Sequence, residues 1–494
     1  HETHAAAGDR ANDAIRVDAN QLKVKVIGEG ANLGVTQAGR IEFDLHGGRI
    51  NTDAIDNSAG VDSSDHEVNI KILAAEAVRE GDLDPADRND LLAEMTSDVA
   101  ALVLRHNYTQ TFALTLAETT AKEDHDALER LMEYLEDRGV LNRALETLPE
   151  TGEMKVRAER GQPLTRPELA VLLAWSKITL FDDIVASDIP DDPYFEDLLV
   201  NYFPSPINTY SKAMSNHRLK REIIATIIAN RVLDMAGPVA LLRLREVTGG
   251  DNAQVARGLE AARAVLNFDG FQREVDQLDT IVPADVQIDL RLHAASAMVD
   301  AALWFIETHP DLHVGDAVQH TEAPLNEFKA ILAGIHSPFP AARIEREVRS
   351  LMKRGASEEI SRWAAAMGQF AQGLLVVDLA GKAGVSVEAA GKAFYTIGDQ
   401  LRIDRLRAMA RDNLLHADYW DRVAGRRLLN ELVRMQADAT EKALAGDGAD
   451  AWLAERNDAR KALLAELHTL GKDRNWAFAR FALAADALRQ FMRH

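Results

Sequence analysis

The sequence predicts a mainly α-helical protein with a short strand-and-turn segment near its N-terminus. Three observations lead there. Glycines crowd the early chain (Gly28, Gly30, Gly34, Gly39, Gly47, Gly48 and Gly60). Short runs between them carry β-type patterning. From about residue 64 onward, apolar residues recur at helical spacing behind capping sequences.

Taken in order, Val24, Val26 and Ile27 form a β-rich run over residues 23–27. Ile41, Phe43 and Leu45 alternate with polar neighbours, which predicts a half-buried strand. Asn57 and Asp62 add turn character. Ser64-Asp65-His66-Glu67 reads as a capping box, with Ser64 at the cap and Glu67 at the third helical position. Val68, Ile72, Ala75 and Val78 follow at helical spacing. Thr165-Arg166-Pro167-Glu168 is a second capping box, opening a helix with Leu169, Leu172, Leu173 and Trp175. Pro167 fits because first-turn amides have no partner within the helix. Further helices are expected over residues 217–235, 290–307, 357–379, 386–411 and 458–468. Breaks are expected at 187–206, 309–324 and 446–448. There is no fixed-period repeat and no low-complexity tract.

Composition narrows the function classes. With 494 residues and 47% hydrophobic content, the chain can bury a sizeable core and more than one domain is expected. Lys plus Arg is 56 against 78 Asp plus Glu, a net charge of −22. A surface that acidic repels phosphate backbones and anionic lipids, so neither nucleic acid nor membrane is an expected partner. There is no cysteine, which excludes disulfides and thiolate metal sites and fits an expected cytoplasmic location. The longest apolar stretch, residues 169–175, falls short of the roughly 18–20 a membrane span needs. The first sixteen residues have no apolar signal-peptide core and begin with His1, so the chain reads as a fragment of something longer.

Gly28-Glu29-Gly30-Ala31-Asn32-Leu33-Gly34 follows a strand and resembles a dinucleotide fingerprint, whose glycines admit a pyrophosphate. The third glycine is one residue late, and the expected strand at 41–45 stands where a helix should be. Taken alone, a tight turn without a ligand is the simpler reading. Residues 57–65 are small and polar and lead into a helix start, where free amides favour carboxylates. The plain alternative is that Ser64 caps only its own helix. His309 and His313 are four apart but separated by Pro310, with no Cys or Glu to complete a set, so no metal site is expected. His66 reads as a solvated or core histidine. Residues 380–394 look like a helix-turn-helix, with Gly384 at the turn and Ser386 at the next cap. The acidic balance favours simple helix packing there. No Gly-x4-Gly-Lys phosphate loop or Gly-x-Ser-x-Gly elbow occurs.

Longer stretches carry a family resemblance. VKVIGEGANLGVTQAGRIEF, then GGRINTDAIDNSAGVDSSDHEVNIKIL, is similar to the large-subunit class of bacterial NAD-dependent glutamate dehydrogenases. LTRPELAVLLAWSKI, DDPYFEDLLVNYFPSPI and HRLKREIIATIIANRV continue it in order, and it weakens after about residue 430. The resemblance implies that residues 1–80 are the end of a Rossmann-like α/β NAD-binding and catalytic domain. Residues 81–150 would return onto that domain, 151–310 form a helical domain and 311–494 a C-terminal helical bundle. It implies NAD as cofactor and L-glutamate and 2-oxoglutarate as substrate pair. Partners would be the N-terminal remainder of the same enzyme and further copies in a homo-oligomer.

By the same resemblance, Gly30, Asn32, Asn57 and Gly60 bind the cofactor, with Asn32 and Asn57 at its nicotinamide-ribose end. Ser64 would bind the substrate's side-chain carboxylate. The family's catalytic lysine and aspartate find no match here, so no catalytic residue is assigned and the chain alone is expected to be inactive. Two departures stand out. Leu33-Gly34-Val35-Thr36 replaces a shorter Pro-Thr turn of compact relatives, and Ala59 replaces the first glycine of a Gly-Gly pair. The rival readings are a non-catalytic helical module for oligomerisation or regulation, and a dehydrogenase for another amino acid.

Overall fold

A computed structural model describes residues 6, 8, 10–309, 311, 313–414, 419–470 and 478–493. Much of the reading of the first nine residues, and Pro310 between the two histidines, therefore lies outside the described residues. The chain divides into two compact units, His1–Arg257 and Gly258–His494.

The first unit begins with strand β1 (Val26–Ile27), helix α1 (Gln37–Leu45) and strand β2 (Arg49–Ile50). The strands pair in parallel, Val26 with Arg49 and Ile27 with Ile50. Strand, helix and parallel strand make a minimal βαβ unit. Among the described residues these are the only strands, so the chain is mainly α as expected. The strand expected over 41–45 is instead the second half of α1. Thr36 caps this helix, its hydroxyl accepting from the Gly39 amide at 3.1 Å. Ile41 and Phe43 are buried, as a strand would also require, but Arg40 is buried with them and Leu45 is 56% exposed. Five residues with three apolar positions do not separate period 2 from period 3.6; the cap and the pairing of Arg40 decide.

Helix α2 (Asp53–Asp56) runs into α3 (Ser58–Glu80). This corrects the expected cap: Ser64 lies inside α3, and its hydroxyl donates to the Gly60 carbonyl at 3.2 Å. The helix starts seven residues earlier because residues 58–64, though largely polar, carry no proline and adopt helical geometry behind the short α2. The remaining helices are α4 (Arg88–Glu94), α5 (Thr96–Thr120), α6 (His125–Asp137), α7 (Thr151–Glu159) and α8 (Arg166–Ala186), then α9 (Glu196–Tyr202), α10 (Ser211–Ser215), α11 (Lys220–Ala236), α12 (Pro238–Thr248) and α13 (Asn252–Val265). The unit boundary falls inside α13.

Helix α8 is the hub, packing against α1, α5 and α11. Leu172, Leu180 and Ile184 are fully buried on it, as expected for a helix apolar around most of its circumference. Its Thr165–Glu168 capping box forms as read from the sequence. The break expected at 187–206 contains two 3-10 turns, the whole of the short α9 and the start of a third 3-10 turn, Ser205–Ile207.

The second unit contains α14 (Phe268–Asp276), α15 (Ala284–Thr308), α16 (Val314–Ile335), α17 (Pro338–Lys353), α18 (Glu358–Ala383) and α19 (Val387–Gln400). It continues with α20 (Ile403–Leu414), α21 (Tyr419–Leu444), α22 (Ala449–Glu455), α23 (Asn457–Leu470) and α24 (Phe478–Met492). Helix α18 is its axis, packed against α15, α16, α17 and α19. By length and composition alone α18 could cross a membrane, yet half of its apolar window is buried among its neighbours. Two expectations change here. The predicted break at 309–324 ends early, because α16 carries Pro324 inside it. Burial of Thr321, Leu325 and Phe328 on one face offsets the roughly 3 kcal/mol an interior proline costs. The single helix expected over 386–411 divides at Arg402, whose φ is 62°. The turn after α18 forms as read, with Gly384 left-handed and Ser386 capping α19 through the Ala389 amide at 3.2 Å.

Candidate functional site

The glycine-rich turn after β1 is held down by charge. Glu29 and Arg40 are each 5% exposed. Arg40 donates through Nε and Nη2 to the two Glu29 oxygens, both at 2.7 Å. Arg40 Nη2 also lies 3.0 Å from Asp53 Oδ1. Burial alone would lower the Arg40 pKa, but the Glu29 and Asp53 carboxylates raise it above its ordinary value, so it stays cationic. The Val35 amide donates to Glu29 at 2.9 Å and closes the turn.

The same turn is tied to α2. The Glu29 amide donates to Asp56 Oδ2 at 2.8 Å, and the Leu33 amide to Asp53 Oδ2 at 3.0 Å. Burial opposes ionisation of Asp53, yet the Leu33 amide and the Arg40 guanidinium hold its carboxyl below the usual range. Leu33 has φ 57°, a left-handed conformation costly for a side chain with a Cβ. The Asp53 hydrogen bond helps hold it there, and its side chain is 83% exposed.

These ties bring two of the sequence-implied residues together. Asn57 Nδ2 donates to Asn32 Oδ1 at 2.6 Å, at the start of α3. Gly60 lies under this pair: a Cβ there would come within 2.8 Å of Asn57 Oδ1. A Cβ at Gly30 would meet nothing within 4 Å, so that backbone is open to approach. Asn57, Gly60 and Ser64 recur at spacings of three and four, which puts them along one helix face. The face runs roughly 10 Å from the Asn32–Asn57 pair to Ser64. Its Ser64 hydroxyl is exposed, and Val61 and Val68 beside it are 66% and 53% exposed.

Two supports were missed by sequence reading. Asn107 on α5 donates to the Ile55 carbonyl and to the Ser58 hydroxyl, both at 2.9 Å, and so fixes the α2–α3 junction. Arg166, the first residue of α8, donates to Asn51, Thr115, Glu118 and the Thr111 carbonyl, while its amide donates to Asp44 at 3.0 Å. Both partners lie about fifty to a hundred or more residues away, so no local pattern announces them.

Residues 161–490 match the family described as "Glutamate dehydrogenase, C-terminal", and residues 1–117 the family described as "Bacterial NAD-glutamate dehydrogenase, catalytic domain". This chain belongs to the bacterial NAD-dependent glutamate dehydrogenase family. It is 41% identical over 409 residues to the NAD-specific glutamate dehydrogenase of Pseudomonas aeruginosa, covering 81% of this chain and 25% of that protein. Against the enzyme of the same name from Halomonas elongata it is 36% identical, over 92% of this chain and 28% of that protein. For the Mycobacterium tuberculosis protein the figures are 38%, 73% and 22%. The glutamate dehydrogenase chain thus spans about a quarter of the length of the relatives it matches. Every residue of the turn and of the α3 face lies in the stretch that matches the catalytic domain, whereas all of α8 and most of the second unit fall in the C-terminal match.

Proposed function

We propose that this chain supplies part of the NAD and substrate site of an enzyme for oxidative deamination of L-glutamate to 2-oxoglutarate and ammonia. Catalytic lysine and aspartate would come from a part of the polypeptide outside these 494 residues. The N-terminal βαβ unit would then be the end of a Rossmann-like cofactor domain, for which the parallel β1–β2 pairing is the support.

The observation that carries the reading is the Asn32–Asn57 pair at the start of α3, with Ser64 farther along the same face. The two side-chain amides would meet the nicotinamide-ribose end of NAD. The open backbone at Gly30 leaves room for a closely held ligand. NAD, when bound, supplies the hydride acceptor for the substrate's α-carbon. The residues here bind and orient both partners, which converts an encounter into a positioned reaction. Ser64 would donate its hydroxyl proton to the substrate's side-chain carboxylate in place of the Gly60 carbonyl.

The test is kcat/KM for glutamate in the full-length enzyme with Ser64→Ala. Because Ser64 sits inside a helix, alanine removes the hydroxyl without weakening α3. Loss of a hydrogen bond to a charged group, about 1.5–3 kcal/mol, predicts a fall of roughly 10- to 150-fold. An unchanged kcat/KM in the folded variant would remove Ser64 from the substrate site and with it the main support for glutamate specificity.

A further inference from the structure

A different face of α3 carries a cluster that the cofactor and substrate reading does not use. Asp62 and His66 stand four residues apart on α3, and His106 reaches them from α5. One ligand-capable atom from each lies within 4.8 Å of the other two. His106 Nδ1 is 2.8 Å from Asp62 Oδ2, and His66 Nε2 is 3.6 Å from Asp62 Oδ1.

His66 is the telling member. It is 0% exposed, and among the described residues neither ring nitrogen has a hydrogen-bond partner. A buried imidazole left with both nitrogens unmatched is costly, and buried polar groups are satisfied in the great majority of cases. Tyr202 stacks on its ring, centroids 4.3 Å apart, and fixes its plane. Burial lowers the His66 pKa, against the pull of Asp62 and with a smaller push from His106. Asp62 and His106 are more open, with side chains 26% and 51% exposed. The rigid, buried ligand is thus paired with two that have room to adjust.

We propose that Asp62, His66 and His106 bind one divalent transition-metal ion of the zinc class, joining α3 to α5. Two imidazoles and a carboxylate are the donor set such ions take, and three protein ligands leave a further position for water. Metal–nitrogen bonds of about 2.0–2.1 Å require ligand atoms roughly 3.3 Å apart in tetrahedral geometry. The cluster reaches that by a small movement of the exposed His106. The ion would take the place of the missing partner at His66 Nε2. It would also brace α3 two residues from Ser64, so that metal occupancy and substrate affinity become linked.

The experiment uses the full-length enzyme, stripped with a chelator and titrated with Co2+ and with Zn2+. Wild type is expected to bind one equivalent more than His106→Ala or Asp62→Asn, with the visible Co2+ bands of a low-coordinate nitrogen and oxygen site. Loss of outer-shell partners weakens metal sites about 10- to 100-fold, so loss of a ligand should cost more than about 100-fold. Zn2+ should raise the Tm of wild type and not of His106→Ala. His46→Ala, an exposed histidine on the edge of α1, should bind as wild type does. If wild type takes up no additional ion, or if His106→Ala and Asp62→Asn retain it, the proposal is overturned.

Discussion

At the scale of single residues, the site depends on the buried Glu29–Arg40 pair. A bidentate pair out of water is not a large net gain, but breaking it strands a charge. Arg40→Met should therefore destabilise the first unit by about 3–5 kcal/mol. Glu29→Gln with Arg40→Met should recover part of that loss, since glutamine keeps an acceptor for the Val35 amide and carries no charge. Urea unfolding midpoints of the two variants decide it, and a double variant no better than the single would show that packing, not charge, holds the turn. Of this constellation, the sequence announces only the glycines and the Glu-Gly-Ala-Asn turn. Nothing in the local pattern singles out Arg40. Its burial follows from the long-range reach to Glu29 and Asp53.

At the scale of elements, local signals and packing divide the work. The capping residues Thr165 and Ser386 sit where the sequence puts them, because a cap needs partners only three residues away. At Pro324 burial against other helices outweighs propensity, and at residues 41–45 a five-residue pattern leaves the period open until the Thr36 cap and the Arg40 pairing settle it. Two glycines of α18 test the distinction within one helix. A Cβ at Gly373 would lie 2.5 Å from Phe328 and 2.8 Å from Leu325, whereas at Gly368 it would meet nothing within 4 Å. Gly373→Ala should cost about 1–3 kcal/mol through overpacking, and Gly368→Ala should stabilise by about 0.5–1 kcal/mol through helix propensity. Thermal unfolding of both variants checks this, and equal effects would mean that α18 is less tightly seated on α16 than its contacts indicate.

At the scale of the whole molecule, stability responds to pH through groups buried in the second unit. Asp404 is 7% exposed, and burial pushes its carboxyl up to about 6, with Arg407 and the Ser337 hydroxyl opposing. Arg407 is itself lowered to about 10 by burial. A raised carboxyl pKa in the folded state means stability is fully present below the unfolded value of about 3.9 and is lost as pH rises through about 6. The loss attributable to Asp404 is on the order of 2–3 kcal/mol. In Asp404→Asn that part of the pH dependence should vanish between pH 4 and 6, read as the difference between the two stability curves. Parallel curves would show that Arg407 keeps Asp404 ionised throughout.

The sequence by itself determined the mainly helical class, the long capped helices and the family, because each rests on spacing within a few residues or on contiguous motifs. It also named Asn32, Asn57 and Gly60 as a group through their resemblance to the family. Tertiary structure decided what those residues touch. The 2.6 Å contact of Asn32 with Asn57, the seat of Ser64 inside α3, the Arg166 ties and the approach of His106 to His66 all join positions or boundaries that local pattern leaves unlinked. Contacts between distant residues are set by which surfaces the chain buries together, and burial is a property of the folded whole.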